Sequence, residues 1–271
     1  MTNRDRYRPF TNDAQTRVRL DAAPLALVLC QVRWPDLSAL QGDLHPIAER
    51  FGAQLSNFPL YSESQEMAIE LTPQVVTQLP TATVYQWESA DRTMRVNLTK
   101  NFVALAVKRY DGYEAFSAQL RDVLKALSDA VSIPLVERIG VRYLNRITDQ
   151  DHLARIDELV IPELLGHQAL RPAAADVHVV QALTQSLFQV GSGHLQARSG
   201  ILAGGESIDP SIDPIADQSW VLDIDSFCQN EVLFTVDNVL HDAGRLSDAA
   251  YDFFKLVIQQ GFLDAFKGRG A

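Results

Sequence analysis

The stretch Arg138-Ile-Gly-Val-Arg-Tyr-Leu-Asn-Arg-Ile147 decides how the chain is read. Its period is two, the repeat of a strand whose successive side chains point to opposite faces. Arg138, Gly140, Arg142, Leu144 and Arg146 fall on one face, and Ile139, Val141, Tyr143, Asn145 and Ile147 on the other. The second set is what a core accepts. The first carries three guanidinium groups, each of which needs a carboxylate, a partner or an anionic ligand, because an unpaired charge taken out of water is expensive.

Outward from this strand the same order of elements occurs twice. Leu25 to Trp34 is a near-continuous apolar run, as in a strand buried on both faces. The turn Pro35-Asp-Leu-Ser38 leads into a helical stripe of Leu40, Leu44, Ile47, Ala48 and Phe51. Strands are expected at 66–71, 82–88, 93–99 and 102–109, the middle two joined as a hairpin by Ser89-Ala-Asp-Arg92. A helix over 113–131 follows, with Phe116, Leu120, Val123, Leu124 and Leu127 on one side. The second series has a strand at 136–147, a turn at 148–151 and a helix near 152–164. Strands at 177–190, 194–203 and 219–227 come next, then a closing helix near 246–266. Tyr113-x-x-Phe116 in one long helix is echoed by Tyr251-x-x-Phe254 in the other.

The expectation is therefore an α+β fold of two similar halves, each running strand, helix, antiparallel strands, long helix. This order lets one continuous sheet run through both. An internal duplication is one reading of the recurrence and a coincidence of short patterns is the other. Residues 1–21 read as a flexible N-terminal arm, 22–133 as the N-terminal α+β half and 134–271 as the C-terminal α+β half. Between the last two strands, Gly204 to Asp217 forms a long loop rich in glycine, proline and aspartate, and loops of that length often serve function.

Composition narrows the classes of function. The chain has 271 residues and a net charge of −10, which disfavours a non-specific grip on nucleic acid or on an anionic membrane. No apolar run reaches the length of a membrane span, and the polar start Met-Thr-Asn-Arg-Asp-Arg-Tyr-Arg has no signal-peptide core. Cys30 and Cys228, the two cysteines, lie in apolar strand-like runs and read as buried thiols of a reducing compartment. The expected location is cytoplasmic.

A further reading comes from the order of short landmarks. These are Pro24-Leu-Ala-Leu-Val-Leu-Cys-Gln-Val-Arg33, Tyr110-Asp-Gly-Tyr-Glu-Ala-Phe116, Arg138-Ile-Gly-Val-Arg-Tyr-Leu-Asn145, Leu222-Asp-Ile-Asp225 and Phe253-Phe254. In this order and spacing the chain resembles a sporadically distributed bacterial family of about 250 residues, a single-domain scale of length. The resemblance spans residues 22–266. Such a distribution implies mobile or defence-associated genes, and with them an interaction, sensing or neutralising role. The family has no established catalytic residues to carry over.

No motif calls for a cofactor. There is no Walker A loop, His-Glu-x-x-His, paired Cys-x-x-Cys or Gly-x-Ser-x-Gly, and Gly191-Ser-Gly193 is expected to be a hairpin turn. Asp209, Asp213, Asp217, Asp223 and Asp225 make the best case for a metal, with Asp223 and Asp225 two apart on one strand face. The competing expectation is that they cap loops or pair with the arginine face. Arginine suits carboxylate and phosphate equally, so residue type does not choose between a pair and an anion site. The candidate ligand- or partner-binding residues are Arg138, Arg142, Arg146 and Asn145, with Asp223 and Asp225 as counter-charges. The leading expectation is a non-enzymatic protein-interaction or neutralising factor in bacterial defence or toxin control, with an unidentified protein partner. One alternative is a small-molecule module with an apolar cavity and an arginine-lined site for a small anionic ligand. The other is a metal-dependent hydrolase or nuclease. Whether the chain forms a homo-oligomer is left open.

Overall fold

A computed structural model describes residues 6–13, 18, 20–71, 76–170, 172–174 and 176–267, and gives backbone alone for 66–71 and 76–82. The first series of elements is β1 (Leu25–Arg33), α1 (His45–Gly52), β2 (Leu60–Leu71), β3 (Val76–Glu88), β4 (Met94–Leu98), β5 (Phe102–Val107) and α2 (Tyr113–Ala130). The second is β6 (Leu135–Val136), β7 (Arg138–Ile147), α3 (Gln150–Ala154), α4 (Ile156–Leu159), β8 (Ala182–Val190), β9 (Gly193–Leu202), β10 (Ser219–Cys228), β11 (Val232–Leu233), α5 (Val236–Val257) and α6 (Gln260–Phe266). The fold is α+β, with long antiparallel ladders and helices, as the two periodicities require.

Contacts gather the chain into two compact units whose seams fall inside β1, β7 and α5. One unit takes Leu29–Gly140 and Gln229–Gly244. Its strand order is β2-β3-β4-β5-β1, built by antiparallel pairing along the meander β2 to β5. The hairpin between β3 and β4 forms at the expected turn, where the Arg92 amide donates to Ser89 O (2.9 Å) and the Ser89 amide to Met94 O (3.0 Å). On α2, Phe116, Leu120, Val123, Leu124 and Leu127 are buried, and the strands contribute Val96, Leu98, Val103 and Leu105. Each such side chain contributes about 1.5–3 kcal/mol on burial. Phe51 of α1 packs edge-on to Trp87, ring centres 5.1 Å apart.

The other unit takes the described residues up to Val28, Val141–Cys228 and those from Arg245 onward. Its strand order is β7-β10-β9-β8, with β8 to β10 as an antiparallel meander. Gly191, at φ 60°, opens the two-residue turn of the β8–β9 hairpin, a position where a Cβ would be strained. The core joins Trp220, Leu222 and Ile224 of β10 and Leu195 and Ala197 of β9 to Phe253, Phe262 and Phe266 of the closing helices. In both units the first long strand of a series lies beside the last strand of the meander that follows it: β1 beside β5, and β7 beside β10. β1 also lies beside β7. The Arg146 amide donates to Pro24 O at 2.7 Å in one unit, and the Glu137 amide to Arg33 O at 2.9 Å in the other.

Two expected helices are corrected. The helix expected near 152–164 is broken into α3, α4 and a 3-10 turn at Pro162–Leu164. Pro162 lacks an amide and disfavours helical geometry at Ile161, which is extended (φ −65°, ψ 151°). The closing helix starts ten residues earlier than 246, at Val236, because the Thr235 hydroxyl accepts the Asn238 amide (3.1 Å) as an N-terminal cap. It stops at Val257, where Ile258 bridges Val160 and the Ile161 amide donates to Val257 O (2.9 Å). The two breaks are one event: each segment gives up helical bonds to pair with the other.

Residues 6–13, within the expected arm, lie along α5. The amides of Phe10 and Thr11 donate to Asp252 at 2.6 and 3.0 Å, and Asp13 pairs with Lys255. Phe10 stands edge-on to Phe188 and Phe253, at 5.8 and 5.3 Å between ring centres. A concavity beneath this segment, bordered by Tyr7, Asp248, Tyr251 and Asp252, holds about 10 Å³, about the room of one water. Among the described residues no helix is long and apolar enough to cross a membrane.

Candidate functional site

The face of β7 that carries Arg142 and Arg146 is roofed by the loop between β9 and β10, residues 203–218. β10 supplies the first partner. Asp223, 3% exposed at its side chain, accepts from Arg142 through Nε to Oδ1 at 2.6 Å and Nη2 to Oδ2 at 3.1 Å. This is the forked arrangement that gives a guanidinium–carboxylate pair its strength and direction. β9 supplies a second arginine. In the β9–β10 register Arg198 stands opposite Asp223, and it donates to Asp223 Oδ2 from Nε at 2.8 Å and from Nη2.

The loop supplies the fourth group. Arg142 Nη1 donates to Asp209, so two guanidiniums meet two carboxylates and the cluster is neutral. Burial works against the charge on Arg142. The hydrogen bonds and charge of Asp223, with those of Asp209, outweigh that penalty and hold its pKa above the ordinary arginine value. Burial also opposes ionisation of Asp209. The Ser211 amide at 2.7 Å and the Arg142 charge outweigh it and keep the Asp209 carboxyl below the usual range.

Four residues along the same strand face, Arg146 does a different job. Its Nε donates to Ser219 Oγ (3.0 Å), Nη1 to the Asp213 carbonyl (2.8 Å) and Nη2 to the Glu206 carbonyl (3.0 Å). A guanidinium satisfied by backbone carbonyls is a clamp on a chain segment rather than a binding group waiting for a ligand. Burial lowers the pKa of Arg146. The loop between these anchors is a tandem repeat, Ser207-Ile-Asp-Pro210 followed by Ser211-Ile-Asp-Pro214. Arg142 takes the side chain of the first aspartate and Arg146 the carbonyl of the second. Within the loop Ser207 Oγ donates to the carbonyls of Asp209 (2.9 Å) and Ile212 (2.8 Å), and the Gly205 amide donates to Ile215 O (2.7 Å). Held this way, Glu206, Pro210, Asp213, Pro214 and Asp217 are exposed.

The other candidates lie elsewhere. Arg138 donates to Gln31 Oε1 at 3.3 Å, in the unit that holds Leu29–Gly140. Asn145, on the core face of β7, is buried and donates to the Leu222 carbonyl at 3.4 Å. Asp225 shares the Asp223 face of β10 and stands opposite Gln196. The structure thus brings together Arg142 and Asp223, and joins Arg146 to them through the loop. Arg198 and the pairing of the two Ser-Ile-Asp-Pro repeats with two arginines were not read from the sequence. Both left a signal there: Arg198 is the charged residue in the alternation of 193–202, and the repeat is literal. Among the described residues, no group of three or more His, Cys, Asp or Glu is placed to hold a metal ion. Comparison with protein-family models, curated proteins and solved structures finds no match to this chain.

Proposed function

We propose that this chain works by binding a protein partner rather than by turning over a substrate, and that the clamped loop 203–218 is its recognition surface. One observation carries the reading: two arginines on one strand face each secure one Ser-Ile-Asp-Pro repeat. A sixteen-residue loop with two glycines and two prolines loses much entropy on binding if it is loose, and fixing it beforehand removes that loss. The groups it turns outward, Glu206, Asp213 and Asp217, are acidic, so the partner surface that fits is basic. In this reading the arginines are positioning residues that never touch the partner. The resemblance to a sporadically distributed bacterial family supports an accessory or neutralising role in defence or toxin control.

Native mass spectrometry tests this on tagged chain purified from its own host, beside the double variant Asp213→Lys/Asp217→Lys. The expected result is a protein at fixed stoichiometry on the unaltered chain, its loss from the variant, and the same melting curve for both. Equal capture by both would remove the loop from the interface. A chain that turned over a substrate, and lost that activity on a single substitution, would overturn the reading altogether.

A further inference from the structure

A second surface, away from the loop, points to a different occupant. β8 ends the strand order of its unit: its inner side pairs with β9 from Ala182↔Ile201 to Val190↔Gly193, and among the described residues no strand pairs its outer side. Proteins protect such edges with charge, proline, shortness or a bulge. β8 has none of these. It is nine residues long, its ladder with β9 is regular, and Val177 to Val190 contains no Asp, Glu, Lys, Arg or Pro. At the chain's own charged content of 21%, that run of fourteen would carry about three charges. Leu183 and Leu187 are 47% and 61% exposed, and Val177 and Val180 just upstream are 55% and 54% exposed.

We infer that β8 pairs antiparallel with β8 of a second copy of this chain, the two-fold axis passing at Gln185. The register follows from the spacing. About Gln185, Leu183 of one copy falls opposite Leu187 of the other and Leu187 opposite Leu183. Both leucine pairs thus lie directly across the new ladder on one face, where apolar cross-strand pairs stabilise a sheet. Ala182 falls opposite Phe188, and Thr184 opposite Ser186. This self-complementarity is what an isologous two-fold contact needs and what a strand from an unrelated partner would not. Charge agrees with it. Two copies, each at −10, repel, so a contact between them belongs where the surface is uncharged, and screening salt strengthens it. That sign is opposite to the salt response of an acidic loop on a basic partner, so the two surfaces are separable in one experiment.

Sedimentation of the full chain over a range of concentrations, at low and at molar salt, reads the dimer directly. The expected result is a monomer–dimer equilibrium that shifts to dimer with salt, and a monomer for Leu187→Lys with an unchanged melting curve. Gln185→Cys adds a check of register: mild oxidation joins two copies of that variant through residue 185, while the native chain with Cys30 and Cys228 stays uncrosslinked. A native chain that stays monomeric at every concentration and salt overturns the proposal. So does a dimer that survives Leu187→Lys, or one whose Gln185→Cys form does not crosslink.

Discussion

Asp223 is the residue on which the interior electrostatics of its unit turn. It is nearly inaccessible and accepts from both Arg142 and Arg198. Removing it leaves the cluster with two guanidiniums and one carboxylate, Asp209, so Asp223→Ala is expected to cost about 3–5 kcal/mol in chemical denaturation. Arg142→Ala should fall at or below the lower end of that range, because Asp223 retains Arg198. A buried pair is expensive mainly when half of it is missing. The double variant Arg142→Met/Asp223→Leu should therefore recover part of the loss. If the double loses as much as the two singles added together, the residues are not coupled. Asp209 gives the pH response. Its pKa is lower in the folded chain than in the unfolded one, so its contribution is present above the ordinary aspartate range of about 4 and fades as pH falls through the lower folded value. The gap in melting temperature between the native chain and Asp209→Asn should be constant near neutrality and close in acid. A gap that widened in acid would reverse the sign assigned here.

Among the elements, β7 was the most legible and the 203–218 loop the least. Alternation in 138–147 assigned Ile139, Val141 and Ile147 to the core, where they are buried, but Leu144 on the arginine face is buried as completely and Tyr143 only in part. The same alternation cannot say what a charged face meets, because the answer lies in strands and a loop 50 to 85 residues away. Helix ends failed for a related reason. Periodicity marks a stripe, but Pro162 and the Val160–Ile258 bridge decide where helices stop, and that bridge spans about a hundred residues. The loop makes its own prediction. Arg146→Ala removes three hydrogen bonds, two of them to loop carbonyls, so amide exchange at 206–213 should speed up while β4 and β5 keep their protection. Uniform acceleration across the chain would mean that Arg146 supports the fold and not the loop. Gly200 offers a second check. At φ 144° in β9, a Cβ there would lie 1.9 Å from the Ala182 carbonyl oxygen, so Gly200→Ala must push β8 away from β9. A loss of about 1–3 kcal/mol is expected on denaturation, the scale of an overpacked site.

At the scale of the molecule, the two compact units are interleaved along the chain. The unit that holds β8 to β10 draws on residues before Val28, on Val141–Cys228 and on residues after Arg245. That arrangement sets a timetable. As the chain is synthesised, Leu25-Ala-Leu-Val-Leu-Cys30 emerges early, while β7, its neighbour in the sheet, follows more than a hundred residues later. The segment around Phe10 waits longer still, since its partners Asp252 and Phe253 lie about 240 residues downstream. Contacts this distant in sequence close late and slowly. The segment around Phe10 must therefore stay undocked through most of translation, and that unit completes only after α5 has emerged. Chains arrested on the ribosome before residue 245 should leave residues 6–13 open to a protease that cannot cut them in the finished protein. Early protection would show that this segment finds a temporary partner before α5 emerges.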